Sequence, residues 1–483
     1  MFPFIQINRA VPCIAGLQFK EPVSWTINQG EHWAVIGPNG AGKTILSDIL
    51  CRKVALKQGE VRYYFPENKS EKHSSPVQSI AFRDIYGLAD YKNMYYQQRF
   101  NATENEDVPL VDDLLDLNDP AFLDEMLNTF DLKHLSGKRI IFLSGGELRK
   151  FLIVRVLQKR PSVLILDNPF IGLDASSREL LKQALERMAG LSGLQVILLL
   201  SSPDDIPEMI TRVLPVFDKE LCRPYAKDDF LQHENLQKQL FPTNQNTTPE
   251  LPLSRTYGKL FSGNVFEMRN IHIRYGGKNI LNGIDWTVGK GEKWALLGPN
   301  GSGKSTLLSL IYADNPQAYS NDIVLFGRKR GTGESIWDIK RRIGYVSPEM
   351  HLFYLKDVPA IEVVGSGFFD TVGLYRKCNA GQISVCEEWI RAFGIEKLKD
   401  VSFLKLSSGE QRLTLLARAF VKDPSLLILD EPLHGLDQSN KIRVRQIIET
   451  FCNRPDKTLI YVTHYREEIP SCVDRSFELP AAH

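Results

Sequence analysis

Apolar runs of strand length recur along the chain, and each ends at a glycine-rich segment or a polar residue. Ala34–Ile36 and Ala295–Leu297 lead into glycine-rich segments, whereas Leu164–Leu166 and Leu427–Leu429 are followed by an aspartate. The most apolar run, Val196–Leu200, is also of strand length, while a membrane span needs about 20 apolar residues. Short and fully apolar runs are typical of strands buried in a parallel sheet. The pattern therefore predicts an α/β protein without a membrane span of its own.

The motifs that follow these runs occur twice, in the same order and at nearly the same spacing. Residues 25–44 return at 286–305, and the LSGGE segment at Leu143 returns as LSSGE at Leu406. Such self-similarity indicates two copies of one domain. We expect the first copy at residues 1–217, a polar linker at 218–263 and the second copy at 264–483.

Each copy contains the glycine-rich pattern G-x-x-x-x-G-K-[ST], placed between an apolar strand and a helix-like run. The backbone N–H groups of such a loop surround phosphates, its lysine neutralises their charge, and its hydroxyl ligates Mg²⁺. The pattern therefore predicts two sites for ATP and Mg²⁺. The residues expected to bind nucleotide are Gly37, Pro38, Asn39, Gly40, Ala41, Gly42, Lys43 and Thr44 in the first copy, and Gly298, Pro299, Asn300, Gly301, Ser302, Gly303, Lys304 and Ser305 in the second.

A carboxylate at the end of an apolar strand rarely serves packing, and here one follows downstream of each phosphate loop. The residue after it differs between the copies. Glu431 can act as a general base towards a water that attacks the γ-phosphate, whereas the amide of Asn168 cannot accept that proton. The predicted Mg²⁺ ligands are Thr44 and Asp167 in the first copy, and Ser305 and Asp430 in the second.

A second anion-binding segment opens an amphipathic, arginine-containing helix in each copy. It contains Ser144 and Gly146 in the first copy and Ser407 and Gly409 in the second. A hydroxyl and glycine N–H groups at a helix start can bind an anion. Within its own copy this segment has no phosphate to hold, because the phosphate loop already holds it.

Taken together, these motifs resemble the ATP-binding cassette (ABC) ATPases over nearly the whole chain, including D-loops at residues 172–174 and 435–437. The resemblance implies two P-loop NTPase domains in tandem, each a RecA-like core with an antiparallel β subdomain and a helical subdomain that carries the signature. It also implies that the two cassettes pair within the molecule, so that each ATP lies between the phosphate loop (Walker A) of one cassette and the signature of the other.

The second copy is also similar to the bacterial ModF-type tandem ATP-binding proteins, which are assigned to molybdenum transport, and to related fungal tandem ATPases. The similarity lies in Tyr319–Asp322, Leu325–Arg328, Gly333–Lys340 and Ile343–Pro348. The first copy carries it mainly through its motifs. No residue indicates recognition of molybdate.

The family pattern implies a nearly complete hydrolytic site on the second phosphate loop. Lys304, Glu431 and His464 would be its catalytic residues, Thr306 a further hydroxyl, and Tyr275 would stack on adenine. Ser144 and Gly146 of the first signature would complete this site. The glutamine of the family's Q-loop is replaced by Glu349, which could reach Mg²⁺ or water, or could alter coupling to a partner.

The other site would combine the first phosphate loop, Gln97 or Gln98, and the second signature with Ser407 and Gly409. It departs from the family pattern at four positions. Asn168 replaces the general base, Ser201 the switch histidine, Ile45 the second hydroxyl, and Ile14 the adenine-stacking aromatic residue. We expect this site to bind ATP and to hydrolyse it poorly.

The charge and the cysteine content of the chain limit its expected partners and its expected location in the cell. Lys and Arg total 59 against 58 Asp and Glu, so the net charge of +1 argues against nonspecific binding of polyanions. Seven scattered cysteines are typical of reduced thiols inside the cell. We expect a cytoplasmic or membrane-peripheral protein. The absence of an acidic residue before Glu21 leaves a mitochondrial location as the alternative.

Three functions remain open for the ATPase. The first is the energising subunit of a transport system with a separate membrane permease, which could dock on the aromatic segment 351–370; alternatively, those aromatics fill the core of the helical subdomain. The second is a soluble ABC ATPase that remodels or senses a protein or nucleoprotein partner. The third is a nucleotide-gated binding module, against which Glu431 and His464 argue.

Overall fold

The computed structural model forms two compact units, one built mainly from residues before position 245 and the other mainly from residues after it. The structure describes residues 2–65, 76–81, 109–140, 143, 145–170, 173, 175–190, 193–241, 250–253, 263–275, 278–299, 301–348, 350, 354 and 356–480.

The first unit contains an antiparallel sheet and a larger, mainly parallel sheet. The antiparallel sheet has the order β2-β1-β4, and the parallel strands follow the order β8-β3-β7-β6-β5. The strands are β1 (Pro3–Pro12), β2 (Val23–Asn28), β3 (Trp33–Ile36), β4 (Leu56–Tyr63), β5 (Val77–Ala81), β6 (Val163–Asp167), β7 (Gln195–Leu200) and β8 (Arg212–Phe217).

The described helices of this unit before residue 190 are α1 (Lys43–Leu50), α2 (Pro120–Thr129), α3 (Gly145–Leu157) and α4 (Ala175–Ala189). Apolar side chains of the antiparallel sheet, of β3 and of α1 form one buried cluster, which includes Trp25, Trp33 and Leu46. Burial of this cluster holds α1 beneath the antiparallel sheet, and it thereby sets the position of the phosphate loop that precedes α1.

Part of the segment expected as a linker is folded. It forms β9 (Glu220–Leu221), β10 (Tyr225–Ala226), α5 (Lys227–Gln232) and α6 (Glu234–Leu240). Strands β9 and β10 both pair antiparallel with β8. Phe230 and Leu240 are buried, at 0% and 1% exposure. These residues therefore extend the first unit beyond β8.

The second unit repeats the architecture of the first. Its antiparallel sheet has the order β12-β11-β14-β15, and its parallel sheet the order β16-β17-β18-β13-β19. The strands are β11 (Asn264–Tyr275), β12 (Lys278–Gly289), β13 (Lys293–Leu297), β14 (Asp322–Leu325), β15 (Arg328–Lys329), β16 (Ile343–Val346), β17 (Leu426–Asp430), β18 (Thr458–Val462) and β19 (Arg475–Glu478). The same parallel order in both units confirms the predicted duplication of one α/β domain.

The helices of the second unit are α7 (Lys304–Ile311), α8 (Ile336–Lys340), α9 (Ala360–Gly365), α10 (Ala380–Ala392), α11 (Ser408–Phe420) and α12 (Gln438–Cys452). An aromatic cluster joins three of them: Trp389 contacts Phe393, Phe420 and Phe451 with ring centroids 5.1–6.4 Å apart. In the part of the chain that the structure describes, none of the helices has the length and apolarity needed to cross a membrane.

Candidate functional site

Each predicted phosphate loop connects a central parallel strand to a helix. The first follows β3 and the second follows β13, and each ends at a glycine in the left-handed conformation, Gly42 at φ 109° and Gly303 at φ 91°. A Cβ atom on Gly303 would also lie only 2.8 Å from Leu281 Cδ2. Glycine is therefore required here by both conformation and space. The loop is shaped by the residues that the motif specifies.

The lysine of each loop is the first residue of its helix, and its ammonium group lies within the loop. Lys43 Nζ donates to the carbonyls of Gly37 and Pro38 at 2.7 and 2.8 Å. Lys304 Nζ donates to the carbonyls of Gly298 and Pro299, both at 2.8 Å. Burial lowers the pKa of Lys43 to about 8, while the negative charge of Asp167 acts in the opposite direction. A buried ammonium of this kind favours an anionic ligand.

Two observations are compatible with the binding of a nucleotide and Mg²⁺ by these loops. Thr44 Oγ1 donates to Asp167 Oδ2 at 2.8 Å, which places a hydroxyl and a carboxylate side by side, and Mg²⁺ prefers such oxygen ligands. In the second loop, Ser302 is 3% exposed and its Oγ has no hydrogen-bond partner among the described residues. Asp430, the last residue of β17, is 5% exposed. Asn39, Gly40 and Ala41 of the first loop and Gly301 of the second are described with them, whereas Asn300 lies outside the described residues.

At the end of β17 and β18, the structure brings the two predicted catalytic side chains of the second copy together. His464 Nε2 lies 3.0 Å from Glu431 Oε1, and the two side chains are 11% and 20% exposed. Glu431 has a left-handed backbone, at φ 49°, and its N–H donates to the carbonyl of Val462 at 2.9 Å. A non-glycine residue in this conformation is strained, and such strain clusters at functional sites. The arrangement holds a carboxylate and an imidazole at the edge of the sheet where the phosphate loop also lies.

The first copy has the same backbone arrangement with different side chains. Asn168 has φ 50°, and its N–H donates to the carbonyl of Leu199 at 2.9 Å. Its Nδ2 donates to Asp167 Oδ1 at 3.0 Å, and Ser201 Oγ donates to its Oδ1 at 3.3 Å. Asn168 and Ser201 therefore meet as Glu431 and His464 do, but neither provides a carboxylate that can take a proton from water.

An arginine that the sequence analysis did not single out connects the signature helix to the end of β17. Arg412 of α11 is 2% exposed. Its Nη1 donates to the carbonyl of Ser347 at 2.9 Å, and its Nη2 donates to the carbonyls of Asp430 and Glu431 at 2.8 and 2.6 Å. In the sequence, this role could have been recognised from an arginine on the apolar side of an amphipathic helix. A buried guanidinium needs several acceptors, and backbone carbonyls at strand ends provide them.

The signature of the second copy begins its helix as predicted. Ser407 is the N-cap of α11, with Glu410 N–H donating to Ser407 Oγ at 3.4 Å and Ser407 N–H donating to Glu410 Oε2 at 2.7 Å. This reciprocal pair is a capping box. Gly409 lies in the first turn and is buried, and Gly146 lies in the first turn of α3. Ser144 is outside the described residues.

The structure describes some of the remaining predicted site residues and leaves others outside the described ranges. The hydroxyl of Tyr275 accepts from Asn315 Nδ2 at 2.9 Å, and the side chain packs against the core of the second unit. Its role in stacking adenine stays a prediction. Ser305 and Thr306 lie in the first turn of α7. Glu349, Gln97, Gln98, Gly172 and Asp174 lie outside the described residues.

Two P-loop cassettes in one chain, each with a phosphate loop, an acidic strand end and a signature helix, define a tandem ABC ATPase, which binds and hydrolyses ATP. The sequence profile described as ABC transporter matches residues 20–171 and 281–434. The chain therefore belongs to the ABC transporter family, which confirms the resemblance drawn from the motifs.

The relatives match nearly the whole length of the chain. The ABC transporter ATP-binding protein ModF of Escherichia coli is 36% identical over 94% of this chain and 92% of its own length. An uncharacterized ABC transporter ATP-binding protein of Schizosaccharomyces pombe is 30% identical over 98% of this chain and 97% of its own length. Among solved structures, the archaeal ribosome recycling factor aABCE1 in complex with the ribosomal stalk protein aP1 has a TM-score of 0.51 at 17% identity, covering 93% of this chain and 83% of that one. At that identity the likeness shows the fold alone.

Proposed function

We propose that the protein hydrolyses ATP with Mg²⁺ mainly at the site built on the second phosphate loop, and that it energises a transport system. The observation that carries the proposal is the 3.0 Å contact between Glu431 and His464. Both groups lie at the edge of the sheet from which the phosphate loop emerges, where a water attacking the γ-phosphate needs a base. The first copy has Asn168 and Ser201 in the same arrangement.

The roles follow from the chemistry of each group. Glu431 accepts the proton of the attacking water, and His464 orients that carboxylate and interacts with the γ-phosphate. Lys304 neutralises phosphate charge, and Ser305 and Asp430 hold Mg²⁺. ATP at the first site is bound by Lys43, Thr44 and Asp167 and persists there, because no carboxylate activates water. The participation of each signature in the site of the other copy stays a prediction.

Transport is supported by the relatives. The E. coli relative is named an ABC transporter ATP-binding protein, and it matches this chain over nearly its full length. Because no described helix could cross a membrane, the proposal requires a permease as a separate chain, with this protein peripheral to the membrane. ATP-driven movement of the cassettes would then act on that permease.

The catalytic assignment is tested by Glu431→Gln, with Asn168→Gln as the matched control at the equivalent position. Removing a general base lowers the rate by about 10²- to 10⁴-fold. We expect that loss of steady-state ATP hydrolysis for Glu431→Gln, and a change below about twofold for Asn168→Gln, because the amide at that position takes no proton. Equal losses in the two variants, or normal hydrolysis by Glu431→Gln, would overturn the assignment.

The transport role is tested by purifying Glu431→Gln from its own cells in detergent, with and without ATP, and identifying the chains that co-purify. Blocked hydrolysis prolongs the ATP-bound state, so a permease should be retained when ATP is present. An integral membrane protein recovered only with ATP supports the proposal. Recovery of soluble proteins alone, or of none, contradicts transport and favours a soluble ATPase that remodels or senses another partner.

A further inference from the structure

A buried hydroxyl group binds the turn that carries His464. Thr463 directly precedes this histidine and is 2% exposed. Its Oγ1 accepts a hydrogen bond from the N–H of Tyr465, the residue after the histidine, at 3.1 Å. Serine and threonine hydroxyls close short turns in this way. The bond spans His464 and therefore restricts the backbone from which its imidazole projects.

Glu468 connects this turn to β18 and to α12. Its Oε2 accepts from Thr463 Oγ1 at 3.4 Å, and its carbonyl accepts from the hydroxyl of Tyr461 at 3.0 Å. Its Oε1 accepts from Lys441 Nζ at 2.7 Å, and the lysine and glutamate side chains are 32% and 14% exposed. A carboxylate paired with an ammonium group has a fixed position, and it thereby sets the direction of the Thr463 hydroxyl.

The first copy has the same link between helix and turn. Arg178, in the first turn of α4, forms a salt bridge with Asp205, as Lys441 in the first turn of α12 does with the glutamate. A second bond, from the next turn of the helix to a backbone carbonyl, is also present in both copies: Lys182 to Asp204 at 3.1 Å, and Arg445 to Glu467 at 3.0 Å. This link is therefore common to both copies and does not distinguish them.

The copies differ where the strand enters the turn. Leu198 of β7 occupies the position of Tyr461 in β18. Two residues later, Leu200 occupies the position of Thr463. A leucine side chain makes no hydrogen bond, so these two bonds from the strand to the turn exist only in the second copy. The two hydroxyls thus occur in the copy that also has the imidazole, whereas the first copy continues with Ser201.

We propose that Thr463 is a positioning residue for ATP hydrolysis, which acts by fixing the turn that carries His464. Glu468 and Lys441 support it, because they hold the Thr463 hydroxyl in place. The inference rests on the proposed role of His464 and adds a residue on which that role depends. Thr463 acts through the histidine, whereas the phosphate loop binds ATP without it.

The test is a double-mutant cycle of Thr463→Val and His464→Ala in the full-length protein, with steady-state phosphate release measured at varied ATP concentration. Valine has nearly the shape of threonine but has no hydroxyl. Loss of such a hydrogen bond is expected to lower kcat by about tenfold, with the KM for ATP within about twofold of the unaltered protein. In the His464→Ala protein, Thr463→Val should change kcat by less than about twofold, because no imidazole remains to be positioned.

Two further variants separate positioning from a general loss of stability. Thr463→Ser keeps the hydroxyl and should return kcat to within about twofold of the unaltered protein. Thr458→Val makes the same change at the opposite end of β18, where Thr458 is also buried and its Oγ1 accepts from the Gly291 N–H at 2.9 Å. We expect its kcat to stay within about twofold as well, because it lies at the far end of the strand.

The cycle gives a clear decision. A loss of kcat in Thr463→Val that disappears in the His464→Ala background supports the proposal. An equal loss in both backgrounds, an equal loss in Thr458→Val, or no loss at all overturns it. Normal hydrolysis by His464→Ala would instead overturn the proposed role of the histidine, and this result needs no change at Thr463. If Thr463→Val does not fold, Glu468→Gln, which removes the charge that holds the hydroxyl, takes its place in the cycle.

Discussion

The ends of β6 and β17 are the same structure with different chemistry. In both, the residue after the aspartate has a left-handed backbone, at φ 50° for Asn168 and φ 49° for Glu431, and donates its N–H to the neighbouring strand. In both, its side chain meets the residue that follows the next strand, Ser201 or His464. The backbone thus keeps the same geometry in the first copy, where the carboxylate and the imidazole are absent. The backbone geometry at this position is therefore a property of the fold, and the two copies differ here in the side chains at two positions.

After Glu431→Gln, the largest effect on ATP hydrolysis is expected from His464, which contacts Glu431 in the second copy. His464→Ala removes the imidazole that contacts Glu431, and we expect ATP hydrolysis to fall by about 10²-fold. Ser201→Ala is the matched change in the first copy, and we expect hydrolysis to stay within about twofold of the unaltered protein. Steady-state phosphate release measures both. A loss of hydrolysis in Ser201→Ala as large as in His464→Ala would mean that the ends of β6 and β17 contribute equally to ATP hydrolysis.

A gain of function tests whether the backbone of the first copy is still competent. Asn168→Glu combined with Ser201→His, made in the Glu431→Gln protein, restores a carboxylate and an imidazole on the same scaffold. We expect hydrolysis to rise by about tenfold over Glu431→Gln alone, because the general base is regained while Ile45 remains. Asn168→Gln with Ser201→His is the control. If the grafted pair adds nothing, other residues of the first copy limit the reaction.

The lysine of the first phosphate loop leads to a prediction about the proton uptake that accompanies ATP binding. Burial lowers the pKa of Lys43 to about 8, so about half of its ammonium groups are deprotonated at that pH. A phosphate anion stabilises the protonated form, so we expect ATP binding at pH 8 to take up about half a proton. Calorimetry in buffers of different ionisation enthalpy measures this uptake.

The matching control for this proton uptake is Lys43→Met, in which the uptake should disappear. The effect should also vanish at about pH 6, where Lys43 is already protonated before ATP binds. Proton uptake that persists in Lys43→Met would assign it to other groups.

The smallest expected effect concerns the strained backbone. Asparagine tolerates the left-handed conformation better than glutamate does, so Glu431→Asn should stabilise the apo protein by about 0.5–1 kcal/mol. Asn168→Glu should destabilise it by a similar amount. Thermal unfolding measures both as opposite shifts of the midpoint. Shifts of the same sign would show that side-chain contacts, rather than backbone conformation, dominate at this position.

Much of the fold was predictable because its determinants are local or repeated. The two phosphate loops, the aspartates that end β6 and β17, and the shared order of motifs led directly to a tandem α/β architecture, and the family match confirms it. The difference between Asn168 and Glu431 was visible in the sequence, since it depends on side-chain identity alone. Its consequence for hydrolysis stays a prediction.

Features that depend on distant contacts could not be predicted in the same way. The strands and helices of residues 220–240 are short and polar, and they are folded because β9 and β10 extend the sheet through β8. The role of Arg412 depends on three carbonyls that lie 18 or more positions away in the chain.

The hydrogen bonds of Arg412 give the second cassette a thermodynamic linkage. Helix α11 and the backbone of Glu431 share one guanidinium, so a displacement of the helix either carries Glu431 with it or breaks these bonds. Any ligand that shifts α11 therefore changes the free energy of the state in which Glu431 is aligned. By reciprocity, whatever binds at Glu431 changes the affinity of that ligand by the same factor.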